Sequence, residues 1–312
     1  MLKLAKQTIF LFVFINTFTN CVAQNKTSDF VITPITKNVY SIVSPSLGLP
    51  TPANKGWNSN SHFIVTEKGV LVFDTGSSEA IGHKIKNAIK SVTNKPVLWV
   101  VNSHSHADHW LGNAAFKDAE IITSNNELPI MKKYGEQDVA FFYKVTKGTI
   151  GNTNLVYPTK LITQNQKLNF GGTDVEFVFS NRAHSKSDLL MWLPKQKIIL
   201  GGDVLSSDWM PIITNPKNVP DLITTLKNVL KLKPNFVLTG HGKSTTSKGI
   251  KRDIELLSSV WRQVKEGALK GEEVNDILIR IKTKMGLKYR SSYKNFDSEI
   301  TRYVTMFYKL YQ

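Results

Sequence analysis

The stretch NSHSHADHWLGN, residues 102–113, follows directly on the apolar run VLWVV and packs His104, His106, Asp108 and His109 into six positions. Side chains two apart on an extended chain share a face. His104 and His106 can therefore turn into one pocket at the end of a buried strand, with Asp108 and His109 following at the entry to a helix. Imidazole nitrogen and carboxylate oxygen are normal zinc ligands, and a catalytic zinc keeps a position for water. Four such donors on one loop demand a fold that holds a strand end rigidly at the rim of a sheet.

The remaining donors stand at the ends of other strand-like runs: His184 after DVEFVFSNRA, Asp203 in ILGGDVL and His241 in VLTGHGK. The other two histidines read differently, because His62 opens a strand and His83 lies inside a helical pattern. Both are expected to be structural. The single cysteine, Cys21, falls in the opening MLKLAKQTIFLFVFINTFTNCVAQ. That opening has Lys3 and Lys6, the apolar run Ile9 to Ile15 and a small-residue site at Cys21-Val22-Ala23, the layout of a signal peptide spanning 1–23. The apolar run is shorter than the roughly 20 residues a bilayer span needs. The expectation is an exported protein, periplasmic or secreted, without a transmembrane anchor after cleavage; Thr19-Asn20 fits a lipoprotein site at Cys21 poorly. The mature chain then has no thiolate, and any metal must sit on nitrogen and oxygen.

No repeat or low-complexity linker divides residues 24–312, which read as one domain with a helical C-terminal extension over about 245–312. Strand-like segments SDFVITPITKNVYSIVS and HFIVTEKGVLVFDTG lead to a helix at Ser78 to Val92, with Ile81, Ile85, Ala88 and Ile89 on one face. KLNFGG, DVEFVFSNRAH, DLLMWLPKQKIILGGDVL and NFVLTGHGK form a second strand-rich half, with a helix near Val219 to Leu232. Further helices are expected over Ser244 to Lys265 and Asn295 to Tyr311. Two β-rich halves with intervening helices imply a layered α/β protein.

The chain carries a net charge of +16, and from Leu226 onward 18 Lys and Arg face 8 Asp and Glu. The run Arg280, Lys282, Lys284, Lys288, Arg290 and Lys294, interleaved with Tyr289 and Tyr293, could attract an anionic surface or nucleic acid. A solvated helical face in a basic protein is the favoured reading.

HSHADH, the isolated His184, GGDV and TGHG, in that order, resemble the metallo-β-lactamase superfamily over residues 30–245, including VFDTG around Asp74. The resemblance implies a four-layer αβ/βα sandwich with a metal site along one edge of two sheets. It implies two zinc ions, with manganese or iron as alternatives for a carboxylate-bridged pair. His104, His106 and His184 would hold the first, Asp108, His109 and His241 the second, and Asp203 would bridge them. Asp74 would support the metal loop, and Asp108 would also act in catalysis by orienting a bridging hydroxide. The implied activity is hydrolysis of a small-molecule ester, lactone, thioester or amide, with β-lactams among the candidates. Alternatives are a phosphodiesterase or nuclease of the same fold and a non-hydrolytic iron oxygenase.

The departures from the family's lactamases bear on substrate. Asp203 stands where lactamases of the one-cysteine subclass carry Cys, and Ser206 stands where they carry Lys. Lys243 is then the nearest alternative cation for a substrate carboxylate. The segment Ser44 to Ser61 lies where those enzymes have a flap, so Leu47, Leu49 and Trp57 could cover an apolar substrate. Phe141, Phe142 and Tyr143 read first as a core helix edge.

Overall fold

The computed structural model describes residues 30–45 and 48–312, so the leader segment and Leu47 lie outside the described residues. A seven-stranded sheet runs in the order β1(Ile32–Pro34), β2(Val39–Ile42), β3(Ser61–Val65), β4(Val70–Phe73), β5(Val97–Val101), β6(Glu120–Ser124), β7(Lys160–Ile162). Its first four strands are antiparallel neighbours, and β4 through β7 pair in parallel. The second sheet has five strands, β8(Gln166–Phe170), β9(Thr173–Asn181), β10(Ser187–Leu193), β11(Ile198–Leu200) and β12(Phe236–Leu238). They lie in sequence order, antiparallel except for the β11–β12 pair.

Between the sheets lies a core in which Ile64, Leu71, Phe73, Val101 and Ile122 of the first meet Phe177, Leu189, Met191, Leu200 and Leu238 of the second. Outside the first sheet packs α1(Glu79–Val92), started by Ser78 accepting from the Ile81 N–H and buried along Ile81, Ile85, Ala88 and Ile89. The stripe expected from the sequence is the stripe that packs. Outside the second sheet lie α4(Val219–Lys231), α5(Ser247–Leu269), α6(Val274–Tyr289) and α7(Phe296–Tyr308) around one large cluster. The architecture is the expected αβ/βα sandwich. Strand β10 is buried at all seven positions because one face looks into the inter-sheet core and the other into the helices.

Two further helices follow β5 and β6, the four-residue α2(Ala107–Trp110) and the 18-residue α3(Leu128–Val145). β6 and β7 add parallel strands that the sequence pattern did not reveal, because EIITS and KLI are too short to display a period. The extension contains three helices, not only the two with clear apolar patterns. The basic run is partly paired: Arg280 pairs with Glu272, Lys288 with Glu255, Lys282 with Asp297 at 3.4 Å and Arg290 with Asp297 at 3.1 Å, while Lys284 and Lys294 have no ion-pair partner among the described residues. Tyr289 and Tyr293 are buried in the helical core, so neither offers a stacking surface. No helix among the described residues is long and apolar enough to cross a membrane.

Candidate metal centre

All seven expected donors converge where β4, β5, β11 and β12 end and β9 turns into β10. They form two groups, His104, His106, His184 and Asp203 in one and Asp108, His109 and His241 in the other, with the donor atoms of each group within 4.8 Å of one another. In the first, His104 Nε2 and His184 Nε2 each stand 2.9 Å from His106 Nδ1. Asp203 lies between the groups. Its Oδ2 is 3.4 Å from His184 Nε2 and 3.9 Å from His104 Nε2, while its Oδ1 is 3.2 Å from both His109 Nε2 and His241 Nε2. Asp108 Oδ2 stands 3.7 Å from His109 Nε2 and 3.5 Å from His241 Nε2.

Four of the imidazoles are oriented from behind. His184 Nδ1 donates to the Ile212 carbonyl at 2.9 Å, and His241 Nδ1 to the Asn58 carbonyl at 2.8 Å. His109 Nδ1 donates to Asp74 Oδ2 at 2.9 Å. His104 Nδ1 donates to Ser103 Oγ at 2.9 Å, which donates in turn to the same Asp74 oxygen at 2.9 Å. With the proton fixed on Nδ1, each Nε2 presents a lone pair to the centre, the arrangement by which outer partners set the tautomer of metal-binding histidine. Asp74 also accepts from the Ser103 N–H at 2.7 Å, and it holds a left-handed backbone with φ of 61°. It therefore orients one imidazole in each group, while making the strand-end turn.

The donor set fits a metal. His109 Nε2 and Asp203 Oδ1 are buried with no hydrogen-bond partner, and lone pairs converging in a dry pocket repel unless a cation sits among them. Burial, reinforced by neighbouring imidazoles, holds His104 well below its usual pKa, and burial with His184 pushes His106 down to about 4. Burial would raise Asp203, but the imidazoles of His241, His109 and His184 hold it well below the carboxylate range. Around His109 and His241 burial opposes the charged form, yet Asp203 and Asp108 outweigh it and raise both. That end of the pocket is built for positive charge.

Several supporting residues gave no sequence signal. Asn58 Nδ2 donates to Asp108 Oδ2 at 2.9 Å, fixing that carboxylate. Buried Glu127 accepts from the Ser105 N–H at 2.9 Å and the Ser187 N–H at 2.8 Å, joining the HSHADH loop to the turn that carries His184. Asp188 accepts from the His184 N–H at 2.9 Å. The Asn58 and Glu127 contacts join residues tens of positions apart, and even the local Asp188 contact depends on a burial that no local pattern announces. His62 is a satisfied core residue, 2.9 Å from Ser41 Oγ and 3.1 Å from the Thr239 carbonyl. His83 is exposed on α1 beside Glu79 at 3.6 Å.

A cleft of about 630 Å³ opens over the centre, with Leu49, Pro50, Phe141, Phe142, Trp209, Met210 and Ile212 among its walls. Phe141 is half exposed and reaches the cleft, so α3 is more than a core edge. Trp57 does not cover the site: its ring stacks on Phe30 at 3.9 Å. Lys243 is exposed and stands outside the cleft lining. The cation that reaches the cleft is Arg302 of α7, held by Glu299 at 2.6 Å and by the Ile213 carbonyl at 2.8 Å. Asp138 of α3 also lines the cleft, its pKa raised to about 6 by burial and by the Asp108 carboxylate.

A two-sheet sandwich with histidine and carboxylate donors gathered at its strand ends defines a metal-binding hydrolase fold. The family model described as the metallo-beta-lactamase superfamily matches residues 54–241, and the chain belongs to that superfamily. It is 26% identical over 228 residues to a metallo-beta-lactamase type 2 of Bacillus sp. (strain 170), covering 71% of this chain and 80% of the relative. It is 25% identical over 244 residues to metallo-beta-lactamase IND-1 of Chryseobacterium indologenes, covering 76% and 92%. Among solved structures, a metallo-beta-lactamase from Pontibacter korlensis superposes with a TM-score of 0.59 at 19% identity, over 73% of this chain and 99% of the other. A double mutant of the sec-alkyl sulfatase PisA1 superposes with a TM-score of 0.66 at 14% identity, over 90% of this chain and 50% of the other. At those identities the two structures speak for the fold alone.

Proposed function

We propose that this protein is an exported di-zinc hydrolase that cleaves a small ester, lactone, thioester or amide. The observation that carries the reading is Asp203, whose two oxygens face different groups of imidazoles. Zinc is favoured by the imidazole-rich donor set, with manganese or iron as the alternatives, and two ions are supported by seven donors falling into two groups. That division speaks against a mononuclear oxygenase. Export rests on the leader pattern alone.

Bound here, a divalent pair lowers the pKa of a coordinated water and polarises the scissile group. The chain's own residues supply the geometry. His104, His106 and His184 would hold one ion, Asp108, His109 and His241 the other, with Asp203 available to both. Asn58 fixes the Asp108 carboxylate, which would orient the attacking water. Asp74 keeps His104 and His109 in the donor tautomer. The apolar walls exclude water around the substrate.

The relatives named metallo-beta-lactamase make β-lactams candidate substrates, with weaker turnover expected because Lys243 stands away from the cleft. The test is metal analysis of residues 24–312, followed by hydrolysis of a chromogenic cephalosporin and of lactone, thioester and phosphoester panels, with Asp203→Ala alongside. Two zinc equivalents and a turnover lost in Asp203→Ala are expected. One tightly bound ion, or turnover untouched by the substitution, would overturn the reading.

A further inference from the structure

A second cavity of about 530 Å³ adjoins the cleft, and the two share His106, Ala107 and Asp138. It also reaches His184, so the metal centre is flanked on two sides. The two spaces differ in chemistry. The first is walled by Leu49, Phe141, Trp209 and Ile212, with Leu49 76% and Phe141 50% exposed at its rim. Its Glu299 and Arg302 neutralise each other at 2.6 Å. The second is walled by Tyr134, Arg182, Lys186, Asn215 and Asn218. Arg182 is tied to Asp221 at 3.3 Å, whereas the exposed Lys186 ammonium has no ion-pair partner among the described residues. Asp138, on the wall common to both, makes no hydrogen bond or ion pair among the described residues.

We propose that the substrate is an amphiphile split across the metal centre, with an apolar arm in the first cavity and an anionic, hydrogen-bonding arm against Lys186 in the second. The inference rests on the hydrolase reading and names its substrate class. An apolar arm covers surface that water otherwise wets at Leu49 and Phe141, and each methylene buried strengthens binding by about four-fold. An anion in the second cavity meets an unpaired ammonium that the first cavity lacks; the Asp138 carboxylate lines both cavities, so Lys186 sets the charge difference between them.

The test uses ether analogues that cannot be hydrolysed: 4-butoxybenzoate, 4-octyloxybenzoate and their neutral isosteres 4-butoxynitrobenzene and 4-octyloxynitrobenzene, titrated calorimetrically into the zinc-loaded protein. Octyl is expected to bind at least ten-fold tighter than butyl, and the carboxylate at least five-fold tighter than its neutral nitro isostere. Phe141→Ala should reduce the chain-length gain and leave the charge preference; Lys186→Glu should abolish or invert the charge preference and leave the chain-length gain. Both side chains are solvent-accessible, so neither substitution threatens folding. A carboxylate preference that survives Lys186→Glu places the anion on the metals and overturns the proposal, as does a chain-length gain indifferent to Phe141→Ala. The matching 4-acyloxybenzoate esters separate this inference from the hydrolase reading. Ether binding with the expected pattern but no ester turnover rejects the reading and keeps the subsite assignment; turnover without arm dependence does the reverse.

Discussion

Asp74→Asn is the perturbation that best tests how the centre is built, because shape is kept and only charge and one acceptor are lost. The carboxylate receives three donors, the Ser103 N–H on Oδ1 and both Ser103 Oγ–H and His109 Nδ1–H on Oδ2, at 2.7 to 2.9 Å. An amide has a single oxygen. If it faces Oδ2's partners, its NH2 meets the Ser103 N–H, and a buried unsatisfied donor costs about 1–3 kcal/mol. If it faces Ser103 N–H, the NH2 meets His109 and drives the imidazole proton to Nε2, where the lone pair is needed. Asn tolerates the left-handed backbone at this position, so strain does not confuse the result. The expected outcome is a metal affinity lowered about 10- to 100-fold at both sites, since His104 and His109 depend on the same oxygen, measured by competition with a chromophoric chelator. Stability of the metal-free protein should fall by about 1–3 kcal/mol in urea. Two undiminished zinc affinities with unchanged stability would refute the claim that Asp74 sets the histidine tautomers.

Glu127→Gln should destabilise by about 1–3 kcal/mol, since one of the two backbone N–H groups it serves loses its acceptor, read by urea unfolding; an unchanged midpoint would mean the two loops are held by other contacts. Gly112→Ala would set a Cβ 2.0 Å from the Thr75 carbonyl oxygen, so stability should drop by at least about 1–3 kcal/mol, visible as a lower melting temperature. Asp253, buried among Arg252 and Tyr293, has its pKa raised to about 6 by burial. The native state therefore takes up its proton before the unfolded state as pH falls from about 6 to about 4, and stability rises over that window by about 3 kcal/mol. Wild type should gain on Asp253→Asn between pH 7 and pH 4 in urea unfolding; parallel pH curves would show that Asp253 titrates normally.

Much of the site was legible because its donors carry unmistakable chemistry and sit where apolar runs stop. His104, His106, Asp108 and His109 share one loop, and His184, Asp203 and His241 each follow a strand-like run. Asn58, Glu127, Asp188 and Asp138 were not legible. Asn, Glu and Asp are ordinary surface residues until burial makes their hydrogen bonds matter, and burial is decided by elements distant in sequence. Trp57 shows the same limit in reverse: an aromatic on a loop near the site reads as a flap until Phe30 is seen stacked beneath it.

The sequence by itself determined the layered α/β class, the strand ends that bear the donors, the absence of sulfur among them and the helical end of the chain. Periodicity and residue chemistry are local properties, and they survive in a one-dimensional reading. Only the tertiary structure decided that Asp203 divides its two oxygens between the groups and that one carboxylate, Asp74, orients a histidine in each. It also decided that three acids of neighbouring segments pair with four of the six cations of the basic run, and that the centre lies between an apolar cavity and one that presents Lys186. Each of these depends on the direction of a side chain relative to residues far along the chain, which packing fixes and sequence order does not.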